Sequence, residues 1–218
     1  MTTNSSTARL AGALGLAGAL ATGFGEGLLQ YAPGADFADQ GYSYFNAIPI
    51  DRQGVGHFIA VLSAPLYLLG YWHLTRNLAP GRPRLSNALF LMTAYGFTIG
   101  AVWIGERYFL AATAHAIAAG EASPDLLADF SRHHEPFVNA LRIAIALFSI
   151  AWIWLIASGQ SRYPRFMAAV SPGLVLGAIF ALWLSAPTVG EKFLPTAMNT
   201  AHAIVFALSL LFVRRARD

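Results

Sequence analysis

The sequence predicts an all-α integral membrane protein. It reads as a bundle of about six transmembrane helices, both termini cytoplasmic, with an outer-side interfacial helix between spans three and four. Three observations carry that prediction. Only 11% of the 218 residues are charged, against about 25% in soluble domains. Mean hydropathy is +0.52, and the apolar residues gather in runs of about twenty, the length that crosses a bilayer. Nine arginines that flank those runs fall on one side, and eight of the acids on the other.

Span one covers residues 10–31 and is built from Ala, Gly, Leu and Thr. The polar MTTNSSTAR before it resembles a signal-peptide n-region, but the run extends past an h-region into FGEGLLQY, so it reads as a retained helix. Residues 32–52 form a connection whose aromatics (Phe37, Tyr42, Tyr44, Phe45) suit the bilayer surface. Span two covers 53–74, with Pro65 expected to kink it. Neighbouring helices can satisfy the carbonyl such a proline frees. Span three covers 85–108 and can run on to about residue 119. In the following SPDLLADFSRHHE, Ser123 suits an N-cap and Pro124 the first helical position. Leu126, Leu127 and Phe130 share a face, which predicts an interfacial cap over the bundle. Span four covers 136–158, with Pro136 in its first turn. Span five covers 165–187, kinked at Pro172, and span six covers 195–213. All lie in a single domain, 1–218.

Orientation follows from the loop arginines. Arg9, Arg76, Arg82, Arg84, Arg162, Arg165, Arg214, Arg215 and Arg217 share one side if there are six spans, and that side is cytoplasmic. Asp36, Asp39, Asp51, Glu121, Asp125, Asp129, Glu135 and Glu191 take the other. The basic pI near 9.4 therefore reflects topology, not a nucleic-acid partner. Without cysteine there is no disulfide, iron–sulfur or thiol chemistry. There is no phosphate loop, GxSxG elbow or dinucleotide fingerprint.

Ionisable residues gather at one depth, reckoned at about 1.5 Å per helical residue. Glu26, His57, Glu106 with Arg107, Asn139 with Arg142, and Asn199 with His202 all lie near the outer ends of five spans. Asn199 and His202 are three apart, and Glu135, Asn139 and Arg142 are four and three apart, so each set shares a helix face. A charge facing lipid costs roughly 2.5–3.5 kcal/mol, which turns these faces inward. The glycines of GFGEG, and Gly96 with Gly100, let helices approach closely.

The expectation is an outer polar pocket. Glu26, His57, Glu106 and His202 are its candidate catalytic groups, and Arg107, Asn139, Arg142 and Asn199 its substrate-binding groups. A carboxylate and an imidazole in such a pocket suit general acid–base work. An arginine suits a developing negative charge. Isomerisation, cyclisation or hydrolysis of a lipid- or terpenoid-like molecule entering from the bilayer fits that set. Its partners would be membrane lipids and a hydrophobic small molecule, and a homo-oligomer is left open.

Other readings stand beside it. Residues near helix ends can snorkel, and Arg142 could simply pair with Glu26 or Glu106. His73, beside Trp72 and Tyr71, reads as an interfacial-belt residue, His133 and His134 as solvated lid residues, and His115 as structural. No cofactor is required. If a metal were bound, His57, His202 and Glu26 would be the two-His, one-carboxylate set; a haem needs a single axial His. A non-catalytic lipid or small-molecule binder, or a transporter, is the alternative of a different class, though the inner halves carry little polarity for a path.

Several pieces occur in a familiar order: Gly25-Glu26 and Leu28-Leu29-Gln30-Tyr31 in helix one, Arg52 before helix two, LLGYWHL ending it, RYPRFMAAVSP opening helix five, and Asn199-Thr200-Ala201-His202 in helix six. This resembles a family of small bacterial multi-pass membrane proteins known mainly as a domain of unknown function, where the first motif usually reads Gly-Asp. The resemblance implies the six-span architecture and a role for Glu26 and Asn199, and the expected location of such a multi-pass protein is a bacterial inner membrane. It implies no activity and no cofactor.

Overall fold

The computed structural model describes residues 5–35 and 42–213. Every regular element among them is helical: α1 (Ser5–Gln30), α2 (Ile50–Ser63), α3 (Leu66–Leu78), α4 (Pro83–Ala118), α5 (Pro124–Ala157), α6 (Pro172–Ser185), α7 (Pro187–Gly190) and α8 (Ala197–Phe212), with short 3-10 turns between some of them. Five helical stretches are long and apolar enough to cross a membrane: α1, α2 with α3, α4, α5, and the stretch ending in α8. Asp36, Asp39, Phe37, Arg214, Arg215 and Arg217 lie outside the described residues.

The prolines shape the bundle, two of them differently from expectation. Pro65 interrupts span two where a kink was expected: α2 ends at Ser63 and α3 begins at Leu66, but Ala64 and Pro65 keep helical backbone angles, so the two remain one stretch. The expected fifth span is not continuous. It divides into a 3-10 turn, Arg165–Val170, and the 14-residue α6. Pro172 has no N–H to continue a helix, and the Ser171 side chain accepts from Leu174 N at 3.3 Å, so the chain caps and restarts there. At about 21 Å, α6 is shorter than the roughly 30 Å hydrocarbon core. Pro136 has the opposite outcome. It opens no helix but sits inside α5, so the expected interfacial helix and span four are one 34-residue helix. The reason is phase: the buried residues Leu127, His134, Val138, Leu141, Ile145, Phe148 and Trp152 follow one stripe across the proline, and Pro136 itself faces outward. The N-cap at Ser123 forms as expected, accepting from Asp125 N at 3.2 Å.

Helix α1 packs against α2, α3 and α8. Its small residues permit this. A Cβ added to Gly25 would lie 2.6 Å from Ala60 N and 2.7 Å from Gly56 O, so backbones meet there. Gly96 and Gly100 do the same for α5, facing Ala144 and Leu141. Arg52 closes the C-terminal end of α1, donating to Gly27 O at 3.1 Å and Tyr31 O at 2.7 Å.

The two ends of the bundle differ. At the N-terminal end of α1, His73 is buried, not a belt residue. Its Nδ1 donates to Ala8 O at 2.7 Å, and its Nε2 accepts from Ser209 Oγ at 2.9 Å. Tyr163 joins through its hydroxyl, 2.7 Å from Ser209 Oγ. These polar groups bind one another and so hold α1, α3 and α8 together. At the other end, Tyr42, Tyr44 and Phe45 pack on Leu110 and Ala111 of α4 and Leu127 of α5. There His115 is structural: its Nε2 lies 3.1 Å from Ile48 O and 3.2 Å from Gln53 Oε1.

Candidate functional site

At the C-terminal end of α1 the helices enclose a cavity of about 650 Å³. Glu26 lines it and is almost fully buried. Gln30, one turn on, donates Nε2 to Glu26 Oε1 at 2.9 Å. Asn199 of α8 donates Nδ2 to Oε2, and its own Oδ1 accepts from the Tyr67 hydroxyl at 2.5 Å. Three helices thus meet in one chain of bonds, Tyr67 to Asn199 to Glu26 to Gln30. Gly23 makes room for it: a Cβ there would lie 3.0 Å from the Asn199 Cβ.

Arg107 is a buried cation on the same cavity. Aromatic rings hold it: its guanidinium carbon lies 4.7 Å from the Trp103 ring centre, 5.6 Å from Phe45 and 5.7 Å from Tyr42. One Nη donates to the Tyr44 hydroxyl, and Nε has no partner. No carboxylate lies within ion-pair distance of Arg107 among the described residues. Glu135 and Arg142 also line the cavity. Tyr42 donates to Glu135 Oε1 at 2.5 Å, and burial together with that bond pushes its pKa up to about 12. Phe97, Phe180, Trp183 and Met198 supply apolar wall.

The expected convergence is therefore partial. Glu26, Arg107, Arg142 and Asn199 share the cavity. His202 does not line it. Its Nδ1 donates to Met198 O at 2.6 Å, which leaves Nε2 to accept from the Tyr71 hydroxyl at 2.8 Å, and Tyr67, Phe97 and Phe206 surround the ring. His57 also lies outside, packed edge-on or tilted against Phe58, Tyr108 and Phe109, with Nδ1 unpartnered. Glu106, one residue before Arg107, points about 100° away around the helix. It meets His134 Nδ1 at 3.1 Å beside a separate cavity of about 200 Å³. Asn139 is exposed and accepts from Arg142 Nη1 at 3.2 Å. Arg142 has no carboxylate within ion-pair distance among the described residues, so the pairing with Glu26 or Glu106 is not present.

Depth along a helix could be counted in the sequence, but azimuth could not. His134 illustrates this: expected to be solvated, it is buried, stacked on Trp103 at 5.3 Å, because it falls on the α5 stripe. Gln30, Tyr67, Tyr42 and Glu135 were not among the expected site residues. The i, i+4 spacing of Glu26 and Gln30 could have found the first; nothing local marks Tyr67. The metal set Glu26, His57 and His202 does not assemble, and no group of three His, Asp or Glu residues is placed to hold an ion among the described residues.

A family model described as a family of unknown function, DUF6796, matches residues 1–216. No curated protein and no solved structure matches the chain.

Proposed function

The chain belongs to this family of unknown function, which brings no activity with it, so we propose a function from the site alone. The protein is a multi-pass protein of a bacterial inner membrane that takes a hydrophobic, lipid- or terpenoid-like molecule into the 650 Å³ cavity and moves a proton on it with Glu26. One observation carries this: a buried carboxylate on the wall of a cavity of ligand size, in company with Arg107 and large apolar surfaces.

The amide donors from Gln30 and Asn199 orient the carboxylate. Each carboxylate oxygen keeps acceptor capacity for a substrate proton. Arg107 would steady negative charge as it develops. Neither His57 nor His202 reaches the cavity, and the other carboxylate there, Glu135, is engaged by Tyr42, so both the acid and the base role fall to Glu26 in this reading. A single carboxyl that takes a proton from one atom and returns it to another performs an isomerisation, with no water consumed. The short α6 counts as the fifth of six crossings, with both termini cytoplasmic. Support comes from the His73–Ala8 and Tyr163–Ser209 bonds and from Arg162 N donating to Asn77 O at 2.9 Å, which draw the ends nearest the arginines to one level.

Non-catalytic binding is the second reading, favoured by the Tyr67–Asn199–Glu26 chain, which gives Glu26 a structural use. The separating experiment needs no known substrate. Purified protein in nanodiscs is incubated with a bacterial lipid extract in deuterated water. The Glu26 carboxyl exchanges its proton with deuterated water before returning it, so transfer to carbon labels the lipid substrate with deuterium, and Glu26→Gln removes the label. A co-purifying molecule that never takes up deuterium overturns the enzyme reading and leaves the binder.

A further inference from the structure

We infer that the ligand of this cavity is an amphipath with an anionic oxygen head, a carboxylate or a phosphate ester, gripped by Arg107. The inference rests on reading the cavity as a ligand site and adds the chemistry of what enters it. The argument is a count of which polar groups are already satisfied. Glu26 receives one amide donor on each oxygen. Glu135 receives the Tyr42 hydroxyl at 2.5 Å. Asn199 both donates and accepts within the protein. The acceptors of the cavity are thus supplied from within.

Arg107 is not. A guanidinium carries five N–H donors, and the Tyr44 hydroxyl is the acceptor that meets Arg107 among the described residues. Its charge is stabilised by the faces of Trp103, Phe45 and Tyr42, which take up no N–H at all. A ring-stacked guanidinium leaves its edge free, and that edge matches the paired oxygens of a carboxylate or phosphate. Burial makes an unmatched guanidinium donor costly, since it forfeits its hydration. Arg142 adds a second cation to the same cavity. Phe97, Phe180 and Trp183 offer an apolar wall for the tail. A neutral or a cationic lipid would fill the wall and leave Arg107 unmet.

The test uses the full chain in detergent and counts bound ligand by native mass spectrometry. The probes are palmitate, hexadecyl phosphate and hexadecanol, which share a tail and differ in head. Wild-type protein is expected to retain at least one of the two anions about tenfold more tightly than the alcohol, a difference of about 1.4 kcal/mol. Which anion leads identifies the head. Arg107→Met is expected to abolish the preference while hexadecanol binding persists, and Arg107→Lys to keep part of it, because charge survives without the fork. If Arg107→Met fails to fold, Arg107→Lys still reads the effect. Equal retention of all three probes by wild type, or an anion preference that survives loss of the guanidinium, overturns the inference. A retained anion preference with no deuterium uptake would sink the isomerase reading alone.

Discussion

Asn199 of α8 donates its side-chain amide to the carboxylate of Glu26 on α1, 173 positions earlier in the chain. The bond joins the first and last long helices at the edge of the cavity, and Tyr67 of α3 completes it from behind. It makes one residue pair both a helix clamp and the orienting device for the candidate reactive group.

Replacing Asn199 by Leu keeps the volume roughly constant but leaves Glu26 Oε2 and the Tyr67 hydroxyl without partners. A buried polar group so abandoned costs about 1–3 kcal/mol. We expect a drop of several degrees in Tm in detergent. A wild-type melting curve for Asn199→Leu would show that the clamp carries no weight.

Two glycine substitutions should act in opposite directions. Gly25→Ala places a Cβ against the backbone of Ala60 and Gly56, neither of which can swing aside. It should force α1 from α2 and lower the yield of folded protein. Gly54→Ala meets only Tyr108 Cε2 at 3.7 Å, an ordinary contact, and gains helix propensity of about 1 kcal/mol. Its Tm should rise or hold.

His73→Phe tests the buried reading of that histidine. It removes the bonds to Ala8 O and Ser209 Oγ, so the first turns of α1 lose their anchor. Limited proteolysis should cut near residue 8 faster in the variant. A belt residue, replaced by another aromatic, would leave the cleavage rate unchanged.

Tyr71→Phe deprives His202 Nε2 of its donor and should cost about 1–3 kcal/mol of stability. Ligand occupancy by native mass spectrometry should stay at the wild-type level, because neither residue lines the cavity. A loss of ligand without a loss of Tm would return His202 to the site.

Tyr42 predicts an alkaline limit for the cavity wall to which it belongs. Its pKa is raised in the fold to about 12, above the usual value near 10. The folded state therefore holds the proton more tightly than the unfolded chain. The stability this contributes is complete below about pH 10 and is lost as pH rises through about 12. Thermal melts between those values should fall more steeply for wild type than for Tyr42→Phe. Parallel slopes would show that Tyr42 does not set the alkaline response.

Composition and spacing by themselves determined that the protein is helical and apolar, where most long helices run, that Ser123 caps α5, and that polar residues of several helices share one level. Those features are local: they depend on hydropathy along the chain, on the missing N–H of proline and on the few residues that cap a helix. Levels follow from counting at a fixed rise per residue, and Glu26, Arg107, Arg142 and Asn199, counted to one level, line one cavity. The tertiary structure alone decided direction. Whether Pro172 breaks a helix while Pro136 is absorbed into one depends on caps and on which face meets neighbours. Which way His57, Glu106 and His202 point depends on helix rotation about the bundle, set by close glycine contacts such as Gly25 with Gly56 and by the stripe of α5. A residue one position along a helix turns by about 100°, which is why Arg107 enters the cavity and Glu106 leaves it for His134.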